Sequence, residues 1–427
     1  MTKKQVILTC GANKYELKIP EGACVQIAEP KKVQKAEYVK RMIREALDSP
    51  IGSLPIENII KPGQKICIIT DDITRLTPVK EILSELLSRL GNAGIAKEDI
   101  IIVIALGSHR KMTCEEMIKK VGDEVYASYK VVNSEFLDQS KLVEVGKSQM
   151  GTPIRVLKDA MEADIRIGIG NIVPHGCMGW SGGAKILYPG ITSEEIVSEF
   201  HVMQGLADDI LFGSENCHIR LAVEKWTEQI GLHFIINTVL TEDLELYRVV
   251  AGHYVKAHRA GVVYGKEVFG AVINGRPDIV VVSSYPLYAD FWQCTKALYG
   301  SGNVIAKGGT ILLISPCTEG IGPHKNVCGY IQLTDDKEVL IRKIKNGETG
   351  EELLTMAVGV SMGKINKYCR IAIISDGVTK EEVAEGGYDW YSEKDLQKAF
   401  DEAMKRYDNP KVLIIPIGGD TVPLLAE

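Results

Sequence analysis

His175, Lys185 and His201 fall within one stretch, NIVPHGCMGWSGGAKILYPGITSEEIVSEFH, which runs from Asn171 to His201 and is rich in glycine between 176 and 183. An imidazole titrates near neutral pH, so it is suited to pass a proton or, as a neutral ring, to bind a metal. A lysine in a glycine-rich loop has two uses: its charge holds a phosphate, or its amine is joined covalently to a cofactor. The residues alone leave both open. Cys177, two residues after His175, is either a metal ligand or a small loop residue, and the second reading is the simpler.

Two other loops carry side chains of the same kind. Thr70-Asp71-Asp72-Ile73-Thr74-Arg75 offers two carboxylates and a guanidinium, and Gly107-Ser108-His109-Arg110 offers a third imidazole. Each has an ordinary explanation as a helix cap, a solvated charge or a polar strand end. They gain force from what precedes them. Ile66 to Ile69, Ile100 to Leu106 and Ile165 to Ile169 are short apolar runs that read as buried parallel strands, and ligands in open α/β sheets sit at the carboxyl ends of such strands.

The elements needed to hold these loops are legible in order. Val6–Leu8 and the alternation Tyr15, Leu17, Ile19 predict a hairpin about Gly11-Ala12-Asn13. A helix with Val39, Met42, Ile43 and Ala46 on one face follows, then a helix entered through Pro78, and another opened by the capping box Thr113-x-x-Glu116. Beyond His201 the pattern predicts a helix at 218–229, strands at 234–239 and 244–250, and a long helix at 254–269. Further strands are predicted at 279–282, 310–315, 371–375 and 412–417, with a helix at 393–406. The expected fold is α/β: two α/β domains with mostly parallel sheets and the active site in the cleft between them.

Composition narrows the function classes. The chain has 427 residues, 25% charged and 45% hydrophobic, with a net charge of -6, which provides no field for a nucleic-acid backbone. No apolar run reaches the length of a membrane span, and the start, MTKKQVILTCG, lacks the apolar core of a signal peptide, so a cytoplasmic protein is expected. Ten cysteines include no CxxC pair, which argues against a zinc ribbon or a dithiol redox site. The run Gly179 to Lys185 has Ala184 before the lysine and Ile186 after it, not the glycine and hydroxyl of a P-loop. No GxGxxG or HExxH occurs. His218, His233, His253, His258 and His324 lie on no ligand-like pattern and read as packed or surface residues.

Taken together, DDxTR at 71–75, GSHR at 107–110, PHG followed by WSGGAKxxxPG between Pro174 and Gly190, and a histidine sixteen residues past the lysine resemble the catalytic component of the nickel-pincer lactate racemases. The likeness is dense from Ile66 to His201 and weaker at Gln293 and Lys296. It implies that Lys185 holds a nickel-pincer pyridinium-3,5-bisthiocarboxylic acid mononucleotide covalently, with Gly182, Gly183 and Asp72 around the cofactor and His201 as a nickel ligand. It implies His109 and His175 as the two acid/base groups, and Arg75, Gln293, Lys296 and Trp292 as the substrate's surroundings. The implied reaction is racemisation or epimerisation of a small 2-hydroxy acid, lactate-like or a sugar acid, by hydride transfer to and from the cofactor, which separate cofactor-building enzymes would supply. The implied division is 1–268 for the cofactor domain, 269–408 for a domain closing the cleft, and 409–427 returning to the first. Two positions depart from the family pattern, Leu76 in place of a proline and Trp292 in place of a smaller aromatic. Residue types alone also allow a metal-dependent hydrolase or lyase with His109, His175 and His201 as ligands, or a noncatalytic metabolite-binding protein.

Overall fold

The computed structural model describes residues 3–426. Its first sheet runs, edge to edge, Leu246–Gly252, Phe234–Leu240, Ile165–Asn171, Ile66–Asp71, Ile100–Ala105, Lys130–Asn133, and all pairs but the first are parallel. The strands read as continuous apolar runs because both faces are covered. Ile66 and Ile68 point into one cluster with the helix Val79–Asn92, while Cys67 and Ile69 point into another with Tyr188, Phe200 and Trp226.

The second sheet is parallel throughout, in the order Asp389–Tyr391, Arg370–Ile374, Thr310–Ile314, Ile279–Ser283, Lys411–Ile415, Cys24–Ile27. Here the C-terminal segment departs from the expectation that it returns to the first domain. Lys411–Ile415 lies between Ile279–Ser283 and Cys24–Ile27, and Val422–Leu425 pairs with Gly270–Ile273. The physical reason is that Val412-Leu413-Ile414-Ile415 is apolar on both faces and needs an interior slot. Val412 and Ile414 enter a cluster with Phe400, and Leu413 and Ile415 enter the cluster on the other face. The N-terminal hairpin, Lys3–Cys10 with Asn13–Pro20, also belongs here, since Leu8, Leu17 and Ile19 pack with Ile279, Val281 and Ile414. Residues 3–27 therefore sit with the second sheet, outside the 1–268 grouping.

The two halves share one core. Ile172, Trp180 and Val197 of the glycine-rich stretch and the helix after it pack in the same cluster as Leu298, Val327 and Met362. The helix Glu351–Asn366, buried on nearly every side, lies against Glu194–Leu206, the helix that carries His201.

Ile414 is fully buried at the centre of the second sheet. Ile414→Ala is expected to lower unfolding free energy by about 2–5 kcal/mol, read from urea midpoints. A loss below about 0.5 kcal/mol, the size of a surface substitution, would mean that this strand is not packed as an interior one.

Candidate active site

The strand Ile66–Asp71 ends at a loop tied down by its own side chains. Asp72 Oδ1 accepts hydrogen bonds from the Thr74 amide at 3.1 Å and the Thr74 hydroxyl at 2.6 Å, and Oδ2 lies 2.6 Å from Nδ1 of His109. Lys120 braces the loop from behind. Its ammonium donates to the carbonyls of Asp72 at 2.9 Å and Arg75 at 2.7 Å and pairs with Asp71 Oδ1 at 2.8 Å. Arg75 itself is free to point outward, since its side chain donates only within the loop, to Thr74.

Asp72 and His109 form the one ion-pairing contact between the first two loops. Burial pushes the Asp72 carboxyl up, but the bonds from His109 and Thr74 and the charges of His109 and Arg75 outweigh it and hold the group down at about 2. An ionised carboxylate can only accept, so Nδ1 of His109 keeps its proton and donates it, and in the neutral ring Nε2 carries the lone pair. The His109 ring is 48% exposed, open to the cleft.

The glycine-rich stretch is fixed from three sides. Pro174 and His175 bridge back to Trp180 and Gly179, fully buried Arg220 donates to the carbonyls of Trp180 and Gly182, and His258 Nε2 donates to Ser181 O at 2.8 Å. Gly182 and Gly183 both have positive φ, and the reason for glycine is the packing beneath them. A Cβ on Gly182 would meet Asn237 and Ile172 at 2.9 Å, one on Gly183 would meet the His258 ring at 3.0 Å, and the Gly183 amide donates to Asn237 Oδ1 at 2.8 Å. Their contribution is to aim the short turn Gly183–Ile186 and thus Lys185.

His175 is the mirror of His109 in its protonation. Its Nδ1 accepts from the Cys177 amide at 3.1 Å, so the proton of the neutral ring sits on Nε2. Burial, then the charges of Lys185, Arg75 and Lys296, hold its pKa well below the ordinary imidazole value. His201 stands on the helix Glu194–Leu206 and donates Nδ1–H to the Val197 carbonyl at 2.8 Å, leaving the Nε2 lone pair free. Burial brings His201 down to about 4 against the opposing pull of that carbonyl. Burial and then the charge of Arg75 bring the Lys185 amine down to about 8, and among the described residues it has no hydrogen-bond or ion-pair partner.

From the second half come Trp292, Gln293 and Lys296. Asp290 caps the helix Phe291–Cys294 through the Gln293 amide at 2.7 Å, and the Lys296 ammonium donates to Gln293 Oε1 at 2.6 Å. The site residues read from the sequence are thus brought within electrostatic reach of one another: His175 feels Lys185, Arg75, Lys296 and His201. Three residues escaped that reading. Lys120 lies on the buried side of the helix Cys114–Val121 with Met117 and Val121, and a lysine at such a position is the signal that could have found it. Asp420 follows the last strand of the second sheet; burial raises its carboxyl to about 6 while the charge of Arg75 opposes the rise. His324, read as a packed or surface residue, lies tilted by 36° against Trp292 with ring centroids 3.8 Å apart and feels Lys296.

A mononucleotide joined to an amine, with nickel beside it, asks for a reactive lysine and a neutral imidazole that presents a lone pair. Lys185 and His201 meet those requirements. Among the described residues no group of three or more His, Cys, Asp or Glu side chains is placed to hold a metal ion by itself, so His109, His175 and His201 do not form a joint metal site. No described helix is long and apolar enough to cross a membrane.

Residues 10–209 match the family model described as the lactate racemase N-terminal domain. The lactate racemase of Lactiplantibacillus plantarum is 28% identical over 384 residues, 88% of this chain and 89% of that one. The lactate racemase of Thermoanaerobacterium thermosaccharolyticum is 28% identical over 311 residues, 72% of each. The structure of the lactate racemase apoprotein from the latter organism superposes with a TM-score of 0.86 at 25% identity, covering 99% of this chain and 100% of that one. A Thermotoga maritima protein of solved structure shares the fold, with a TM-score of 0.64 at 21% identity over 92% of this chain and 100% of that one.

The Asp72 carboxyl is lower in the folded chain than in the unfolded one, so its contribution is present above about pH 4 and is lost as pH falls through about 2. The shift corresponds to roughly 2 kcal/mol. Asp72→Asn is expected to be less stable than the parent by that order at pH 7, with the gap closing between about pH 4 and pH 2. Urea midpoints across that range check it, and a gap that does not vary with pH would refute the linkage.

Proposed function

We propose, from its likeness to the lactate racemases over residues 10–209 and across most of two relatives 28% identical to it, that the chain interconverts the two hands of a small 2-hydroxy acid by moving the α-hydrogen as hydride. The reading is carried by one observation, the opposite hydrogen bonding of two imidazoles: Nδ1 of His109 meets the Asp72 carboxylate, which leaves a lone pair on Nε2, and Nδ1 of His175 accepts from the Cys177 amide, which leaves a proton on Nε2. When bound on Lys185, with His201 as a protein ligand of its nickel, the pincer mononucleotide supplies a carbon that takes up and returns hydride.

The chain's own residues do the rest. Arg75, held by its backbone on Lys120 and with its Nη1 on Thr74, turns its guanidinium to the substrate carboxylate. His109 takes the hydroxyl proton at Nε2 as the α-hydrogen leaves, and Asp72 stabilises the imidazolium that forms. His175 Nε2–H donates to the resulting carbonyl oxygen from the other side. To hand the product its hydroxyl proton, His175 must enter the cycle as the imidazolium, with Nδ1 protonated in exchange for the bond from Cys177; it then ends neutral with a lone pair at Nε2, the state from which the reverse direction starts. Lys296, steadied by Gln293, closes the site from the second half. Burial, and then the surrounding positive charge, favour the neutral ring of His175, the form that takes up a proton.

Carbon-bound hydride does not exchange with water as a proton on an acid/base group does. Substrate deuterated at the α-carbon is therefore expected to give inverted product that keeps the label in ordinary water, measured by mass spectrometry. Extensive wash-out during turnover would replace hydride transfer with proton abstraction. Independently, Lys185→Ala is expected to remove any cofactor mass adduct, and His201→Ala to keep the adduct while losing nickel, read by intact mass and metal analysis.

A further inference from the structure

His324 is built into the cleft with care that a surface histidine does not need. Its loop is clipped to the helix Phe291–Cys294 by backbone bonds, from the Glu319 amide to Ala289 O at 2.7 Å, from Phe291 to Gly320 O at 2.8 Å and from Trp292 to Ile321 O at 3.4 Å. Gly322 has φ +85°, and a Cβ there would meet the Asp290 carboxyl carbon at 2.8 Å, so the turn requires glycine to bring Pro323 and His324 over the helix. The imidazole then lies on the Trp292 indole, 3.8 Å between centroids.

The ring's hydrogen bonding fixes which nitrogen carries the proton. Thr355 has one hydroxyl proton, and it is given to the Glu351 carbonyl at 2.7 Å. Toward His324 Nδ1, 2.9 Å away, the Thr355 oxygen must therefore accept, which puts the His324 proton on Nδ1 and a lone pair on Nε2. Glu351 Oε1, 3.7 Å from the same nitrogen, favours the same arrangement. Nε2 has no partner among the described residues, and the ring's electrostatic neighbours are Glu351 and Asp290 and then Lys296 and His201 of the candidate site.

Lactate has one carboxylate, one hydroxyl and a methyl group. Arg75 accounts for the first and the His109–His175 pair for the second, so a methyl would leave the Nε2 lone pair of His324 facing carbon. A sheltered acceptor left unpaired discriminates against such a ligand. Resting on the racemase reading for the reacting carbon, we infer that His324 is a specificity-determining residue that accepts a hydrogen bond from a hydroxyl beyond that carbon, making the preferred substrate a 2,3-dihydroxy or longer polyhydroxy acid. Trp292 supplies the flat wall that holds the imidazole edge in place and covers the carbon chain. The size of Trp292 and the polarity of His324 are then two parts of one subsite.

The test uses glycerate and lactate as probes, with the parent chain, His324→Phe, which keeps the ring on Trp292 but has no acceptor, and His324→Gln, whose amide oxygen restores one. In the cofactor-loaded enzyme the ratio of kcat/KM for glycerate to that for lactate is expected to favour glycerate and to fall about tenfold in His324→Phe, mostly through KM, with partial recovery in His324→Gln. In the apoprotein, titration of tryptophan fluorescence is expected to give tighter binding of glycerate than of lactate, with the preference lost in His324→Phe. A parent chain without preference for glycerate in the apoprotein titration, or a preference untouched by His324→Phe, overturns the inference. A loaded enzyme that inverts neither acid overturns the racemase reading, while the apoprotein titration still decides the role of His324.

Discussion

The structure depends on positive charge gathered around two partly buried imidazoles. Arg75, Lys185 and Lys296 face a cleft that also holds His175 and His201, and the carboxylate hydrogen-bonded into it is Asp72. Burying like charges together is costly, and the groups that can lose a proton respond by doing so: the His201 imidazole is pushed down to about 4 and the Lys185 amine to about 8. That response is what makes them useful. A neutral imidazole ligates metal, and an amine that is partly unprotonated near neutral pH is a nucleophile.

Such a cluster is held only if the backbone beneath it is held first. Lys120 joins the loop at 71–75 by two carbonyl bonds and one ion pair. Arg220 does the same for the glycine-rich turn. It donates to the carbonyls of Trp180 and Gly182, and burial brings its guanidinium down to about 10. Both cations sit behind the site with main-chain oxygens as partners. They resist collapse of the two loops, Lys120 drawing in the Asp71 carboxylate as well.

Much of this was legible in the sequence because parallel strands convert chain order into position. Three apolar runs, each ending in a polar loop, were enough to place Asp72, His109 and His175 on one edge, and the strands Ile66–Asp71, Ile100–Ala105 and Ile165–Asn171 are neighbours in the first sheet. What stayed hidden depended on partners far along the chain. Val412 to Ile415 is apolar on both faces and fits the interior of either sheet equally well, so periodicity could not choose. The helix Glu351–Asn366 is buried nearly all round and has no polar stripe to announce which neighbour it packs on. His324 has no motif, because its meaning comes from Trp292 and Thr355, thirty-two positions before it and thirty-one after.

The placement of the C-terminal segment changes how the two halves share the site. Because Lys411–Ile415 stays in the second sheet, the turn after it, Gly418-Gly419-Asp420, is presented by the same edge as the loop after Ile279–Ser283, with Gly418 N bonded to Ser283 O at 2.8 Å and Gly419 N to Tyr285 O at 3.1 Å. Asp420 thereby enters the field of Arg75 from the second half, opposite to Asp72, which holds the same guanidinium's loop from the first half. The two carboxyls differ in kind. Asp72 is fixed by three hydrogen bonds and kept ionised, whereas burial raises Asp420 toward neutrality against the opposing charge of Arg75. Were the segment returned to the first sheet, both carboxyls would come from one side, and the second half would contribute cations alone.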